Sequence, residues 1–398
     1  MSTLQMEPMS PSENRELADL AADLIGKASG LAARLSPALR RSIGDLVRSM
    51  NCYYSNLIEN HHTTLIDIDR ALNNDFSEEP DKRNLQLEAR AHIKVQERID
   101  RGEGAGSVLS TDFILWLHRE FYQYLPEEMV WVENPETKER LKMTPGELRL
   151  RHVRVGRHVP PAPDELPSFL KRFCDAYTAR HLSRIGRIIG VAASHHGLAW
   201  IHPFLDGNGR VIRLFSHALL RDLGIGSELW SISRGLARAI DRYKATLQAA
   251  DEPRRGDLDG RGNLTESGLV SFCEFFLATC VDQVDFMGKL LEPSELMNRM
   301  EIWSKEETAA GRLPKGSWAI LQRLILQGEF QRGEAADITG YGERQARSVL
   351  SKLIAKGYLI SPTTRSSVRL GFPPDAVERW LPNLYQPGVG HADHSREH

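Results

Sequence analysis

The chain has 398 residues, with 51 Lys and Arg against 53 Asp and Glu, a net charge of −2. That length predicts two or three domains, and 41% hydrophobic with 26% charged residues is the composition of a soluble globular protein. The charge balance excludes a globally basic nucleic-acid coat and leaves room only for a local basic patch. Cys52, Cys174, Cys273 and Cys280 form no CxxC pair, so neither a zinc ribbon nor a disulfide framework is supported. The N-terminus has no basic start followed by an apolar run, and no stretch approaches ~18 uninterrupted apolar residues. The expectation is a cytoplasmic protein with no signal peptide and no membrane contact.

Ser36 and Pro37 open a helix that runs to Asn60, a plausible C-cap. Leu39, Ile43, Leu46, Val47, Met50, Tyr54 and Ile58 recur along it at spacings of three and four and draw an apolar stripe. A second helix is expected over 84–100, with Leu87, Ala91 and Val95 on one face, then a glycine-rich loop at 102–107. Ser110 and Thr111 cap a helix carrying Phe113, Ile114, Leu117 and Phe121. Residues 149–159 alternate in part, with Leu150, Val153 and Val155 among Arg and His, and make the best strand or hairpin candidate; the prolines that follow close it. Helices follow over 168–179 and 183–201, the second deeply buried by its stripe of Ile185, Ile188, Ile189, Ala192, His196 and Ala199. A loop intervenes, and a helix resumes at Val211 and ends at Gly224. Residues 251–268 are a polar, glycine-rich break before a long apolar helix at 269–291. From Lys315 the pattern reads helix, then helix, turn and longer helix, then a two-stranded wing at 359–372, which resembles a winged helix-turn-helix domain. Residues 315–370 hold nine Lys/Arg and four Asp/Glu, a local charge of +5. The tail at 388–398 is expected to be disordered.

The segment from His202 to Arg213 carries the functional argument. Gly207 and Gly209 flank Asn208 where a helix begins, an arrangement that turns backbone N–H groups toward an anion. Arg210 and Arg213, three apart, share a helix face, and guanidinium groups suit phosphate oxygens. Asp206 lies in the same loop, and a carboxylate beside phosphates is a common way to hold Mg²⁺. His202 precedes the loop and is a candidate general base. A base, a metal ligand, an anion loop and two arginines together point to chemistry on a polyphosphate.

This segment resembles the signature of the Fic family, H-x-F-x-[D/E]-G-N-G-R-x-x-R, at all eight specified positions. The resemblance implies a mainly α fold, a Fic-fold helical core with a β-hairpin flap over residues 110–280, here joined to a C-terminal winged helix at 315–372 through a helical linker at 281–314. It implies a protein adenylyltransferase that moves AMP from ATP to a Ser, Thr or Tyr hydroxyl of a target protein and releases pyrophosphate. His202 would take the proton, Phe204 would anchor the loop and Asp206 would bind Mg²⁺. Gly207, Asn208 and Gly209 would form the anion hole, and Arg210 and Arg213 would hold the β- and γ-phosphates. Residues 149–159, with Val153, Arg154, Val155 and Gly156 at the centre, resemble the family's flap, which pairs with the target's backbone and covers the nucleotide. Tyr243 resembles the first of the family's paired tyrosines near adenosine, with Lys244 in place of the second; Asp251 is expected to contact adenosine.

Within the N-terminal helical region, 1–109, Ser55, Glu59 and Asn60 fit the family's inhibitory helix, [S/T]-x-x-x-E-[G/N], placed before the core as in class II members. A carboxylate at a helix C-terminus opposes the dipole unless it meets a cation. The implied partner of Glu59 is Arg213, in a bidentate pair that blocks the γ-phosphate. Glu59 could equally serve as the base that hydrolyses AMP from a modified target, and the sequence does not choose. Arg344, Arg347 and Lys352 on the expected recognition helix, with Arg365 and Arg369 on the wing, suit DNA phosphate, against a protein-docking role or a homodimer contact. A nucleotide-responsive DNA-binding regulator is therefore the alternative from another class. His61, His62, His195 and His196 read as structural histidines rather than metal ligands.

Overall fold

A computed structural model describes residues 3–12, 14–133, 137–178, 182–363 and 365–385; the expected tail at 388–398 lies outside the described residues. The fold is mainly α. Helix α1 (Arg15–Ala33) has no counterpart among the sequence expectations, although its signals are ordinary. Asn14 caps it by accepting from the Glu16 and Leu17 N–H groups, and Leu17, Ala21, Leu24, Ala28 and Leu31 recur at helical spacing and are buried.

Helix α2 (Pro37–Ile58) is capped by Ser36, whose Oγ accepts from the Leu39 N–H at 3.2 Å. Every residue of the expected stripe is buried. The helix stops earlier than Asn60: Glu59 is the C-cap, and Asn60, with φ 60°, is the left-handed residue beyond it. The Asn60 N–H reaches Leu57 O at 3.1 Å and the His61 N–H reaches Asn56 O at 2.9 Å, the paired closure that a left-handed residue permits. Asn tolerates that conformation better than most side chains, which gives the last position of the inhibitory pattern a physical reason.

Helices α3 (Leu65–Leu72) and α4 (Pro80–Asp100) pack on α2, and α5 (Thr111–Tyr122) begins at its expected Ser110 cap. Strands β1 (Trp131–Glu133) and β2 (Arg140–Lys142) form an antiparallel hairpin that the sequence reading lacks. The hairpin expected at 149–159, by contrast, is not a ladder. Its one pairing is the isolated bridge Val155–His158, around Gly156 at φ 58°. The alternation there has no buried face to rest on, because Leu150, Val155 and Val159 are all exposed.

Helix α6 (Leu166–Tyr177) leads to α7 (Arg184–Ile201) and α8 (Asn208–Asp222), which starts three residues before the expected Val211. Then come α9 (Ile232–Arg238), α10 (Ile240–Ala250), α11 (Glu266–Leu290) and α12 (Pro293–Ala309). Helix α11 is the hub of the core, with α1, α7, α9 and α10 against it. Cys52, Cys273 and Cys280 are buried and all four cysteines are free.

The C-terminal region contains α13 (Ser317–Gln327), β3 (Glu329–Phe330), α14 (Ala335–Thr339), α15 (Glu343–Ala355), β4 (Leu359–Ile360), β5 (Val368–Leu370) and α16 (Pro374–Trp380). Its three strands make one antiparallel sheet in the order β3-β5-β4. This region lies along α2. Gly328, at φ 85°, sits so close that a Cβ there would fall 2.3 Å from Ser36 Oγ. Arg369 of β5 pairs with Asp45 and reaches Ser42 Oγ at 3.4 Å, and the Tyr54 hydroxyl donates to Leu384 O at 2.9 Å. Arg369, expected on an outward basic face, is therefore turned onto α2. Among the described residues, no helix is long and apolar enough to cross a membrane.

Candidate active site

The loop between α7 and α8 is built by local backbone demands. Helix α7 ends at His202, whose φ of 48° is left-handed and whose N–H still reaches Leu198 O at 3.1 Å. Phe204 is fully buried and stacks on His118, ring centroids 3.9 Å apart, so it anchors the loop as the motif implies. Gly207 has φ 75°, and a Cβ there would lie 2.7 Å from Tyr122 Oη, so both conformation and space require glycine. Helix α8 then starts, and the N–H groups of its first turn have no helical partners. Such N–H groups, with the helix dipole behind them, suit an anion.

Asn208 can serve the expected anion hole through its backbone alone. Its side chain does not face an anion: Oδ1 accepts from the Phe204 N–H at 3.0 Å and Nδ2 donates to Phe204 O at 2.9 Å. It braces the loop, and only its backbone N–H remains for an anion. Asp206 is exposed, and its Oδ2 accepts from the Tyr122 hydroxyl at 3.0 Å.

His202 is partly buried and its imidazole is pushed down to about 4, first by burial and then by the charges of Arg149 and His158. It is neutral at physiological pH, the form that accepts a proton. Its carbonyl accepts from Arg149 Nε at 2.8 Å. Arg149 also donates to Arg151 O at 2.9 Å and Pro161 O at 2.6 Å, and its own N–H reaches Pro203 O at 3.0 Å. One buried guanidinium thus ties both ends of the 149–161 segment to the His202 loop. Val153 is half-buried, while Arg154, Val155 and Gly156 are exposed on that segment.

Arg213 is buried on α8 and faces the end of α2. Its Nη2 donates to Glu59 Oε1 at 2.6 Å and to Ser55 O at 3.2 Å, and its Nε donates to Ser55 Oγ at 2.9 Å. The expected pair exists, but it is not bidentate, because Ser55 takes the Nε edge. Burial alone would raise the Glu59 carboxyl; the charge and hydrogen bond of Arg213, with Arg210 behind, outweigh it and hold the carboxyl below its ordinary value. Glu59 also crowds the anion loop: a Cβ on Gly209 would lie 2.3 Å from Glu59 Oε1.

Arg210 is not free. Its Nη2 donates to Glu88 Oε2 of α4 at 2.9 Å, and its guanidinium lies 5.2 Å from the Phe121 ring centroid. His61 meets both partners, with Nδ1 2.6 Å from Glu88 Oε2 and 2.9 Å from Arg210 Nη2. His61, read from sequence as merely structural, therefore belongs to the site.

Two other residues are held by histidines of α7. Tyr243 is buried, its hydroxyl meets His195 Nε2 at 2.8 Å, and it feels the charge of Arg213. Ser216 Oγ donates to Ile212 O at 3.0 Å and lies 2.8 Å from His195 Nδ1. Nδ1 therefore carries the proton and Nε2 accepts from Tyr243. Asp251 Oδ1 meets His196 Nε2 at 2.9 Å.

The class defined by this fold and loop is a helical core that presents a glycine-flanked helix start, with two buried arginines, beside a neutral imidazole. Residues 108–220 match the profile of the Fic/DOC family, and the chain carries a Fic domain. It is 40% identical over 79 residues to a protein named "Protein adenylyltransferase Fic" from Drosophila erecta, and 42% identical over 79 residues to one of the same name from Drosophila willistoni. Each alignment covers 20% of this chain, and the chain spans only 16% of those curated relatives. A crystal structure of a Fic family protein from Desulfovibrio desulfuricans matches 90% of this chain and 97% of its own, with a TM-score of 0.53 at 18% identity, which shows the Fic fold.

Proposed function

We infer that the protein is an autoinhibited protein adenylyltransferase, with ATP as co-substrate and residues 110–280 as its working core. The observation that carries this reading is the Glu59–Arg213 contact of 2.6 Å at the head of an intact anion loop. With Glu59 turned away, the first-turn N–H groups of α8 and the guanidinium of Arg213 are available to the β- and γ-phosphates. A target hydroxyl then attacks the α-phosphorus, His202 takes its proton, and the bond to the β-phosphate breaks to release pyrophosphate. Asp206 fits a magnesium site, since it is an exposed carboxylate beside the loop with only Oδ2 taken by Tyr122, and a magnesium ion is held by one or two carboxylates plus substrate phosphates. Bound there, the ion would neutralise phosphate charge.

For the target we propose an extended segment laid along 149–159. The exposed Leu150, Val155 and Val159 and the mostly unpaired backbone support this reading. A second reading, removal of AMP from a modified target, is favoured by Glu59 itself: its carboxyl is held ionised inside the site, in the state a base requires. A DNA-reading role for 315–370 would rest on Arg344, Arg347, Lys352 and Arg365 without Arg369, and on salt-dependent binding.

The test is transfer of label from α-labelled ATP to protein by the wild type, Glu59→Gly, and Glu59→Gly with His202→Ala. Strong labelling by Glu59→Gly alone is expected. No label from any form, with ATP bound, would overturn the transferase. Stripping of label by wild-type protein would favour the reverse reaction.

A further inference from the structure

Glu88 lies on α4, outside the family signature and outside the matched 108–220 segment, yet it is the one carboxylate bonded to Arg210. The two side chains are 9% and 6% exposed. By contrast, Glu59, the carboxylate on Arg213, keeps 35% of its side chain exposed. Glu59 has room to rotate away, whereas Glu88 is enclosed and also holds His61.

The donors of Arg210 are unequally used. Nη2 lies 2.9 Å from both Glu88 Oε2 and His61 Nδ1, and Nε is buried without a partner. Among the described residues, Nη1 has no protein acceptor, and it is not buried. The guanidinium charge is felt by Glu88, Tyr122, Glu59 and Asp206, so it stands between the fixed carboxylate and the anion loop. A planar fork held along one edge has its other edge oriented. The contact with the Phe121 ring restricts it further.

We propose that Glu88 is the positioning residue of the polyphosphate site: by gripping Nη2 it turns the free Nη1 edge of Arg210 toward the terminal phosphates of the nucleotide. His61 closes the grip, its Nδ1 lying 2.6 Å from Glu88 Oε2 and 2.9 Å from Arg210 Nη2. The role is opposite in sign to that of Glu59. Removing Glu59 uncovers an arginine, and removing Glu88 lets one go slack. The proposal rests on the polyphosphate reading of the site.

The test measures binding of ATP and of AMP, separately, by calorimetry with full-length protein. The parent is Glu59→Gly, compared with the same protein carrying Glu88→Ala or Glu88→Gln. Glu88→Ala should weaken ATP about tenfold, the loss of one charge-assisted contact, and leave AMP unchanged, since AMP has no terminal phosphates. Glu88→Gln keeps an acceptor for Nη2 and should recover part of the loss. Equal weakening of ATP and AMP would mean that Glu88 only supports the fold, and unchanged or tighter ATP binding would mean that it does not orient Arg210; either result overturns the proposal. If the parent binds ATP more tightly than AMP but labels no protein, the transferase fails while Glu88 is still judged by the binding. A parent that binds ATP and AMP alike refutes both.

Discussion

Asn208→Ala removes the brace inside the loop while keeping every backbone N–H. Asn208 is 4% exposed, and its amide makes both hydrogen bonds of the fully buried Phe204 backbone, at 3.0 and 2.9 Å. Truncation leaves a buried N–H and a buried C=O unsatisfied, each costing about 1–3 kcal/mol. Taking the N–H alone at roughly 2 kcal/mol, the Phe204 amide should exchange with solvent about 30-fold faster. Hydrogen–deuterium exchange on overlapping peptides that resolve Phe204 reads this locally, without assuming a single unfolding transition. Asn208→Asp is the internal control: it keeps the acceptor for Phe204 N–H and loses the donor to Phe204 O, so Phe204 protection should persist. Unchanged protection in Asn208→Ala would refute the brace.

His202 is held at about 4, so transfer by Glu59→Gly should show no acid limb near pH 6–7, and a fall there in the pH–rate profile would contradict the burial argument. His195 and His202 are held at about 3 and about 4 against an ordinary 6.5, so the unfolded chain takes up protons first. Stability should therefore fall as pH drops below about 6.5, and a urea midpoint equal at pH 7 and pH 5 would count against it. Tyr243→Phe leaves His195 Nε2 without its donor and should cost about 1–3 kcal/mol in urea unfolding while leaving ATP affinity within about twofold. A large loss of ATP affinity would make Tyr243 a nucleotide wall after all.

What was legible in the sequence was local. The 202–213 segment carries its geometry in its own residues, with a buried Phe204 and a left-handed Gly207, although its helix starts at Asn208, three residues before the expected Val211. The stripe on α2 was likewise complete, because one helix face needs only one helix. What escaped was supplied from a distance. Glu88 meets Arg210 across 122 residues of chain, and Arg149 meets His202 across 53. Both sit in segments that patterning marked, but patterning names no partner: Arg149 opens a stretch whose alternation faces solvent, and Glu88 is one charge on a charged helix. Arg369 misled because a basic residue on a strand looks outward until another helix is packed against it.

The same packing bears on how Glu59 would let go. Helix α2 buries polar positions as well as its apolar stripe: Ser42, Asn51, Ser55 and Asn56 are all at most 4% exposed. Asn51 donates to Gln96 of α4 at 3.1 Å, Arg369 holds Asp45 from one side, and the Tyr54 hydroxyl is fixed to Leu384 O. Withdrawing the helix would strand these groups, and each orphaned buried polar group costs on the order of 1–3 kcal/mol. Rotating Glu59 breaks one contact on a half-exposed side chain at the C-cap, where the helix no longer constrains it. On the proposed autoinhibited reading, release is therefore a side-chain motion with α2 in place. A nucleotide whose γ-phosphate outcompetes one carboxylate for Arg213, or a partner that binds Glu59 directly, would suffice, and neither requires the C-terminal region to detach.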